Sequence, residues 1–559
     1  MPNAFIAPLS LGWNTRDPIT AMRPGFGPIV DNFTIERGVP RVRRGWRVWA
    51  RGLPAQVEGL LSWNGASELL FAASGTGIYD VTAPGTVGAP VVSGLTNARW
   101  SSIQFSASGG QFLFAFNGVD TPRTFNGTTW ATWTGTGVTG GVSWAGAAHG
   151  RMFVGNATQL SFYYGAAGAI GGTFTEFPLQ GVAQRGGGVV AMTTLSGDGG
   201  AGPQSLTVIL TSNEEAIVYA GTDPSSATTW TLVGRWRIPR LLGAPHRCVV
   251  AYGGDALAVT AGGLLPLSAL RSGADAQTVQ ERAGLTRRIA PSWREIADTR
   301  SALAGWAVTP LTGLGIVVVN VPWGSASAQQ IVVSEGGAVT RWAGIPASVW
   351  AEGLGGRAFA GDYATPSETL LEPGALSPLF TFTRTQAAGV QVAEPSALAP
   401  AAHNTGGWGR VLLYGADTSD GGAGIRSEGL TGFQALGAPG RTKHGKLVQA
   451  ILEDGDGIIR QVRAVTDWRV PQPVIDALGP DADPPSLPAS GGSGGALVWG
   501  VGSWGVGVWG GAPGGVTRAW RTASSEGHAM AVHLRMTSGT GRPAWLGSNV
   551  VFEAGGPVR

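Results

Sequence analysis

The length and the low charge of the chain exclude several classes of protein. It has 559 residues, of which 13% are charged and 43% hydrophobic, and its formal net charge is +3. This length predicts one large repetitive domain or two to three ordinary ones. The hydrophobic content excludes a disordered protein, and so small a net charge excludes a protein that wraps duplex DNA with clustered cations.

Glycine and proline, at 91 and 35 residues, indicate many short strands joined by tight turns. An all-helical protein is therefore excluded. The single cysteine, Cys248, rules out an intramolecular disulfide and indicates synthesis in a reducing compartment. The first residues lack the charged and apolar segments of a signal peptide, and no apolar run is long enough to span a membrane. We therefore expect neither a classically secreted nor a membrane-integral protein.

Short β-rich runs separated by small-residue turns recur between about residues 57 and 370. Units of roughly 40 to 45 residues with about four strands are typical of propeller blades, although a chain of β-sandwich units would leave a similar pattern. The predicted fold is all-β, with a β-propeller-like repeat domain and an additional β-rich domain. The recurring segments are Leu60–Val81, Trp100–Trp130, Trp144–Tyr164, Leu206–Val233, Cys248–Leu267, Gly305–Trp342 and Val349–Gly361.

Four regions follow from this pattern. Residues 1–56 are expected to form an N-terminal arm and the first strands, and residues 57–370 the propeller-like domain. Residues 371–495 are expected to form a β-rich insertion or tip, with a Pro/Gly/Ser linker at 479–496. Residues 497–559 are expected to supply C-terminal strands that close the fold.

Two local features interrupt or extend the strands. Residues 275–304 carry a local cluster of charges, and Pro291 is placed as a first helical residue, so we expect a partly helical excursion there. The two apolar runs around Asp454–Gly457 predict a hairpin across that turn.

Candidate catalytic groups are few. The histidines are scattered and lack the spacing of a zinc site, and we expect them to be structural. Cys248 precedes two valines, which indicates a buried thiol. Gly221–Trp230 resembles the Asp-box turn of sialidase-like propellers, which is structural there too. The sequence thus predicts no catalytic residue, no cofactor and no metal site. The histidines are His149, His246, His403, His444, His528 and His533.

A tryptophan ladder lies near the C-terminus. Trp499, Trp504 and Trp509 are spaced five residues apart, and glycine follows each of them. An odd spacing places successive side chains of one strand on opposite faces, so turns must intervene. Packing in a core is the simpler interpretation, and an exposed platform that stacks against a ligand is the alternative.

Several passages, taken in order, resemble the tail nozzle or tail hub proteins of short-tailed bacteriophages, also called packaged-DNA stabilisation proteins. The resemblance covers most of residues 10–370 and about 495–556, and it is weak over 371–495. In that family aspartate often follows the ladder tryptophans, whereas this chain has glycine. The passages are 12–18, 22–24, 31–33, 42–46, 212–224, 253–260, 336–342, 357–361 and 552–556, together with the tryptophan ladder.

The resemblance implies a non-enzymatic structural protein of the virion tail, made in the host cytoplasm. It implies a homo-oligomeric ring, commonly a hexamer, below the portal-adaptor protein and near tail fibres or spikes. Double-stranded DNA would be retained by the ring and later pass through its lumen without sequence-specific contact. Candidate interface or structural residues are Trp13, Arg16, Arg44, Trp46, Trp499, Trp504 and Trp509.

The sequence leaves two alternative functions open. A propeller tail protein that cleaves glycans would need two converging carboxylates. A glycan-binding protein would use the tryptophan ladder as its stacking surface.

Overall fold

The computed structural model describes most of the chain. The described ranges are 1–198, 203–243, 245–272, 282–324, 327–334, 336–363, 382–387, 390–395, 409–421, 424–453, 457–471, 516–538 and 541–557. Trp499, Trp504, Trp509, the linker at 479–496 and other parts of the expected 371–495 insertion lie outside these ranges.

The N-terminal arm consists of short strands that join sheets in different parts of the molecule. The strands are β1 (Asn3–Ile6), β2 (Gly12–Trp13), β3 (Phe26–Gly27), β4 (Ile29–Asp31), β5 (Phe33–Glu36), β6 (Val39–Val42) and β7 (Gly45–Leu53). Strands β1, β4, β6 and β7 pair with segments hundreds of residues away, whereas β5 pairs with β6 and β2 with β3 inside the arm.

The strands of the first four blades follow the arm, and each blade is an antiparallel meander. Blade 1 contains β8 (Val57–Asn64), β9 (Glu68–Ser74) and β10 (Gly77–Asp80), and β11 (Gly85–Thr86) follows it. Blade 2 contains β12 (Ser101–Ala107), β13 (Gly110–Phe116), β14 (Arg123–Phe125) and β15 (Trp130–Thr132), followed by β16 (Gly135–Thr136). Blade 3 contains β17 (Trp144–Ala148), β18 (Arg151–Gly155), β19 (Ser161–Tyr164) and β21 (Thr175–Pro178), with β20 (Gly172–Thr173) paired to β16. Blade 4 contains β22 (Val189–Asp198), β23 (Pro203–Thr211), β24 (Glu215–Ala220) and β25 (Thr231–Arg237).

Three further blades complete the set. Blade 5 contains β26 (Val249–Tyr252), β27 (Asp255–Thr260) and β28 (Gly263–Pro266). Blade 6 contains β29 (Ala307–Leu311), β30 (Ile316–Pro322), β31 (Ala328–Ser334) and β32 (Val339–Trp342). Blade 7 contains β33 (Ala347–Gly353), β34 (Arg357–Asp362), β37 (Gly409–Asp417) and the arm strand β7. A separate hairpin is formed by β35 (Phe382–Ala387) and β36 (Val390–Pro395).

The seven blades form a closed ring. The first strand of each blade contacts the first strand of the next, from β8 through β12, β17, β22, β26 and β29 to β33, which contacts β8 again. This closed arrangement defines a seven-bladed β-propeller. The prediction of an all-β, propeller-like fold is therefore confirmed, and each recurring segment of the sequence lies in one blade.

The blades pack face to face through apolar and aromatic side chains. Phe71 of blade 1 meets Phe125 of blade 2 edge-on, with ring centroids 5.1 Å apart. Phe177 of blade 3 meets Tyr219 of blade 4 at 5.9 Å in the same geometry. Such edge-to-face pairs add to the free energy of apolar burial. Each blade buries its faces against the neighbouring blades, so the propeller is stable only when all seven blades close into a circle.

Blade 7 closes the ring with strands that lie outside the predicted limits of 57 and 370. Strand β37 pairs with β34 on one side and with β7 of the arm on the other. The predicted boundaries are therefore wrong for this blade. Strand alternation shows that a segment is a strand, but it does not identify a partner strand hundreds of residues away.

The C-terminal part of the chain forms a second β domain together with the arm. Its strands are β38 (Ile425–Leu430), β39 (Arg441–Glu453), β40 (Gly457–Thr466), β41 (Thr517–Gly527), β42 (Met530–Ser538) and β43 (Ala544–Pro557). One sheet has the order β41-β39-β43-β6-β5, and β1 also pairs with β43. The other sheet continues blade 6 outward in the order β32-β4-β38-β42-β40. The arm thus joins the two domains.

The hairpin predicted across Asp454–Gly457 is wrong. Strand β39 pairs with β41 and β43, whereas β40 pairs with β42 in the other sheet. The chain crosses between two packed sheets at this point. Both strands are apolar on one face, which is the same pattern that a hairpin would give.

The predicted helical excursion is confirmed over its described residues. Helix α1 (Ala290–Arg300) begins with Pro291 in its first turn, and Trp293 is fully buried. The indole Nε1 of Trp293 donates a hydrogen bond to the carbonyl oxygen of Thr260 at 2.9 Å, which fixes the helix against blade 5. Short 3-10 turns occur at Pro245–Arg247, Leu267–Ser272, Arg287–Ile289 and Thr312–Leu314. Across the described ranges, no helix has the length and apolarity to cross a membrane.

Candidate functional site: the central cavity and the domain junction

A cavity of about 390 Å³ lies where the first strands of all seven blades meet. Its wall combines apolar and aromatic side chains with hydroxyl groups, and among the described residues the titratable side chains of its lining are His246 and Arg247. None of the described lining residues carries a carboxylate. The aromatic lining residues are Trp100, Phe116, Trp144 and Trp350, and the hydroxyl-bearing ones are Ser101, Ser102, Thr193, Thr194 and Thr309.

The connection between blades 4 and 5 carries Arg247 to the opposite wall of this cavity. The Nε of Arg247 donates to Ser101 Oγ at 3.0 Å, and its Nη2 donates to the carbonyl oxygen of Trp100 at 3.0 Å. Both acceptors belong to the beginning of blade 2. The next residue, Cys248, is fully buried and anchors the connection, since its Sγ donates to the Leu242 carbonyl at 2.8 Å.

His246 is held beside Arg247 in a neutral state. Its Nε2 lies 3.0 Å from Ser101 Oγ, and its ring meets Phe116 edge-on at 5.6 Å. Burial, and then the charge of Arg247, lower the pKa of His246 to about 3. Because Ser101 Oγ accepts from Arg247, its own proton is free to be donated to Nε2.

Arg247 carries a charge that its surroundings balance only in part. Burial lowers the pKa of Arg247 to about 10, Glu58 opposes this effect and Arg99 adds to it. Glu58 already forms an ion pair with Arg99, with 3.1 Å between Arg99 Nε and Glu58 Oε1. The two arginines and the one glutamate therefore leave a net charge of about +1 beside the cavity.

Stability is expected to fall below about pH 6.5 because His246 is buried in its neutral form. The folded-state pKa lies below the ordinary value of 6.5, so the unfolded chain binds the proton first. The contribution is complete above pH 6.5 and is lost as the pH falls toward 3, at about 1.4 kcal/mol per pH unit. Burial also lowers the pKa of His533, which acts in the same direction.

The melting temperature measured between pH 7 and pH 4 tests this expectation. The variant His246→Gln should show a flatter decline than the unaltered chain. His444→Gln, where the histidine side chain is 43% exposed, is the matched control and should leave the decline unchanged. If the melting temperature fell equally with pH in all three proteins, His246 would not be the group responsible for the decline.

A second cluster of polar side chains is buried at the junction of the two domains. Arg43 is fully buried and pairs with Asp420 through both carboxylate oxygens. Its Nε donates to Asn32 Oδ1 at 2.9 Å, and its terminal nitrogens also reach the carbonyls of Arg44 and Ala343 at 2.9 and 2.7 Å. Every donor of this guanidinium thus has an acceptor, as a buried charge requires.

Two more buried ion pairs lie at the same junction. Arg341 of blade 6 donates to Asp31 of the arm through Nε at 2.9 Å and Nη2 at 2.8 Å, which is a bidentate geometry. Arg410 and Asp362 join the two middle strands of blade 7, with 2.6 Å between Arg410 Nε and Asp362 Oδ2. These pairs fix the register of the strands that connect the propeller to the arm.

The second domain contains a buried histidine in a chain of charged groups. Arg463 Nε donates to His533 Nδ1 at 3.1 Å, and His533 Nε2 lies 2.7 Å from Glu428 Oε1. Since Nδ1 accepts a hydrogen bond, the proton is on Nε2 and is donated to Glu428. Arg535 Nε also donates to Glu428, at 2.9 Å. His533 is therefore held by hydrogen bonds on both ring nitrogens inside the second domain.

The sequence-predicted residues of the arm have different surroundings. Trp13 is buried, its Nε1 donates to the Pro28 carbonyl at 3.0 Å, and Arg341 lies 5.5 Å from its ring centroid. Trp46 is half-buried and donates to the Gly344 carbonyl at 3.0 Å. Trp13 and Trp46 therefore have structural roles within the chain.

The two predicted arginines are more accessible than the tryptophans. Arg44 reaches the Gly415 carbonyl through Nη1 at 3.3 Å and is half-buried. Arg16 is exposed, and its backbone N–H donates to the Arg288 carbonyl at 3.0 Å. The structure does not bring Arg16 and Arg44 together in one site.

The Asp-box-like turn is structural in this chain. Asp223 Oδ1 accepts hydrogen bonds from the backbone N–H and the hydroxyl of Ser225 at 3.0 and 2.7 Å. Gly221 has a φ of +115°, and a Cβ there would overlap the carbonyl oxygen of Thr229. Glycine is required at this position by both the backbone conformation and the close approach.

No pattern in the sequence indicated that Ser101, His246 and Arg247 form one group. Ser101 is 146 residues from Arg247 and belongs to another blade. Within the described part of the chain, no group of three or more His, Cys, Asp or Glu side chains is arranged to hold a metal ion.

The fold and the cavity define a seven-bladed β-propeller joined by its N-terminal arm to a second β domain. No known protein family matches the chain, and no curated protein sequence does. Among solved structures, a quinonprotein alcohol dehydrogenase-like protein of Bacteroides thetaiotaomicron resembles it with a TM-score of 0.28 and 11% identity. That similarity covers 51% of this chain and 65% of the other.

Proposed function

We propose that the protein is a structural component of the tail of a short-tailed bacteriophage, where copies assemble into the nozzle or hub ring that retains packaged DNA and conducts it at ejection. The observation that carries the proposal is the order of the passages that resemble this family. They lie in the arm, in blades 4 to 7 and in β43. The resemblance therefore extends over both domains and the segment that joins them.

The lining of the central cavity supports a non-enzymatic role. Glycoside hydrolysis uses two carboxyl groups about 5 to 9.5 Å apart, whereas this lining has none. Arg247 is held by hydrogen bonds to Ser101 and Trp100. The cavity therefore supports the alternative of a glycan-cleaving propeller poorly.

The joining of the domains supports a role in which the subunit withstands mechanical force. The arm contributes β7 to blade 7, β4 to the sheet that extends blade 6 and β6 to the second domain. Buried ion pairs of Arg43 and Arg341 hold these strands in place. A subunit of a ring under pressure from packaged DNA needs such a stiff connection, because relative domain motion is otherwise the usual behaviour.

One surface of the second domain supports self-association. Trp520, Gln449, Asn549 and Phe5 are direct cross-strand partners, so they share one face of the sheet. On that face Phe5, Trp520 and Leu447 are 58%, 40% and 38% exposed. We call these three side chains the outer apolar face. Exposed apolar groups gathered on one face are typical of interaction surfaces.

Antibody labelling of virions tests the proposal. Particles of the phage that encodes the chain should carry the label at the tip of the tail, in a symmetric ring visible by electron microscopy. An antibody against the major capsid protein is the control for labelling. A chain that is absent from purified virions, although expressed during infection, would contradict the proposal.

A further inference from the structure

We propose that the central cavity binds a small anion that carries a carboxylate or phosphate group, with Arg247 as its principal partner. This binding would be separate from ring assembly, since the cavity lies inside one protomer. It therefore goes beyond the structural function proposed above. Three features of the cavity carry the inference.

The first feature is the uncompensated charge of Arg247. Within the described residues, no carboxylate lies within 4.0 Å of its guanidinium, and its hydrogen bonds go to the neutral oxygens of Ser101 and Trp100. Its Nη1 makes no hydrogen bond to that part of the chain. The nearby Glu58 is already paired with Arg99. Buried arginines of the junction have carboxylate partners, whereas Arg247 has none.

The second feature is a set of hydroxyl groups without protein acceptors. The side chains of Ser102, Thr193, Thr194 and Thr309 line the cavity, and none of them hydrogen-bonds to another described residue. A lining that has several donors, one guanidinium and no carboxylate complements an oxyanion, for which arginine is the preferred partner.

The third feature is the volume of the cavity, together with the tryptophan side chains in its wall. A volume of about 390 Å³ lies within the range of small-molecule sites. Trp100, Trp144 and Trp350 form part of the wall and would pack against the carbon skeleton of an organic anion. The geometry therefore favours a small organic acid or a phosphorylated compound over a polymer.

Thermal unfolding with defined anions tests the inference. Sodium citrate and inorganic phosphate, at 10 mM, represent the carboxylate and the phosphate classes, and sodium chloride at matched ionic strength and glycerol are the controls. At least one of the two anions should raise the melting temperature by about 2 °C or more above the sodium chloride control. The anion with the larger shift identifies the class.

Substitutions assign the shift to the cavity. Arg247→Gln should weaken binding about tenfold or more, because a charge-assisted hydrogen bond is lost. Arg37→Gln, at an exposed position in the β5–β6 turn, is the matched control and should bind as the unaltered chain does. If Arg247→Gln does not fold, the double variant Thr194→Val and Thr309→Val keeps the charge and the volume, and should weaken binding about threefold to tenfold.

Each outcome of these measurements either supports the anion site or rules it out. A shift in the unaltered chain and in Arg37→Gln that is reduced in the cavity variants supports the site. Equal shifts with citrate, phosphate and sodium chloride would overturn it, as would an anion-specific shift that persists undiminished in the cavity variants. Fluorescence of the lining tryptophans, titrated with the same anions, gives the dissociation constants.

Discussion

Replacing Arg43 by methionine is expected to destabilise the domain junction by about 3 to 5 kcal/mol. The substitution removes the partner of Asp420, takes from Asn32 Oδ1 one of its two donors, and removes the guanidinium that donates to the carbonyls of Arg44 and Ala343. A buried carboxylate without its cation is more costly than the loss of an ordinary hydrogen bond, because its desolvation is no longer offset.

Urea unfolding followed by tryptophan fluorescence measures this effect, with the first transition assigned to the junction by hydrogen exchange. Arg47→Met is the matched control, because Arg47 is exposed and its nitrogen lies 4.0 Å from Asp417. An exposed pair of this kind contributes at most about 1 kcal/mol. Similar losses for Arg43→Met and Arg47→Met would contradict the role of the buried pair.

The double variant Phe5→Ser and Trp520→Ser is expected to prevent ring assembly while leaving each subunit folded. Both side chains lie on the outer apolar face and are 58% and 40% exposed, so their loss costs the monomer little. At an interface the same two aromatic groups would be buried, and aromatic residues of this kind often dominate the free energy of association. We expect at least a hundredfold weaker association, or about 3 kcal/mol.

Analytical ultracentrifugation over a range of concentrations measures the assembly of this variant, and circular dichroism checks its fold. Val119→Ser combined with Tyr252→Ser is the control, since these side chains are 63% and 43% exposed but lie on the propeller. If the Phe5 and Trp520 variant assembled into rings as readily as the control variant, the outer apolar face would not be part of the subunit interface.

The sequence predicts the blades well because their strands are local. In blade 2, for example, Phe112–Phe116 and Trp130 lie within one short segment, and the turn at Asn126–Gly127 is visible as a hairpin signal. The structure pairs these strands in sequence order. Local pairing and local turns require no knowledge of the rest of the chain.

Ring closure and the junction depend instead on pairings between distant residues. Strand β37 pairs Val411 with Ala50 of the arm, and Arg341 of blade 6 opposes Asp31. The composition of these strands indicates that they are buried, but any other buried strand would satisfy the same pattern. The partners are selected by the closed geometry of the ring, which no spacing in the sequence displays.

The cavity was not predictable for a related reason. His246 and Arg247 resemble ordinary connector residues in the sequence, and Ser101 begins a typical blade strand. Their significance comes from the connection after blade 4, which crosses to the wall formed by blade 2. By contrast, the buried character of Cys248 was predictable from its apolar neighbours, and the structure confirms it.

Native mass spectrometry of the purified chain is the most direct test of assembly into an oligomeric ring. We predict a closed oligomer, with six copies of the 57.2 kDa subunit as the expected state. Electron micrographs of the same sample should show a ring with a central opening. A mass of 57.2 kDa at every concentration, with single propellers in the micrographs, would contradict it.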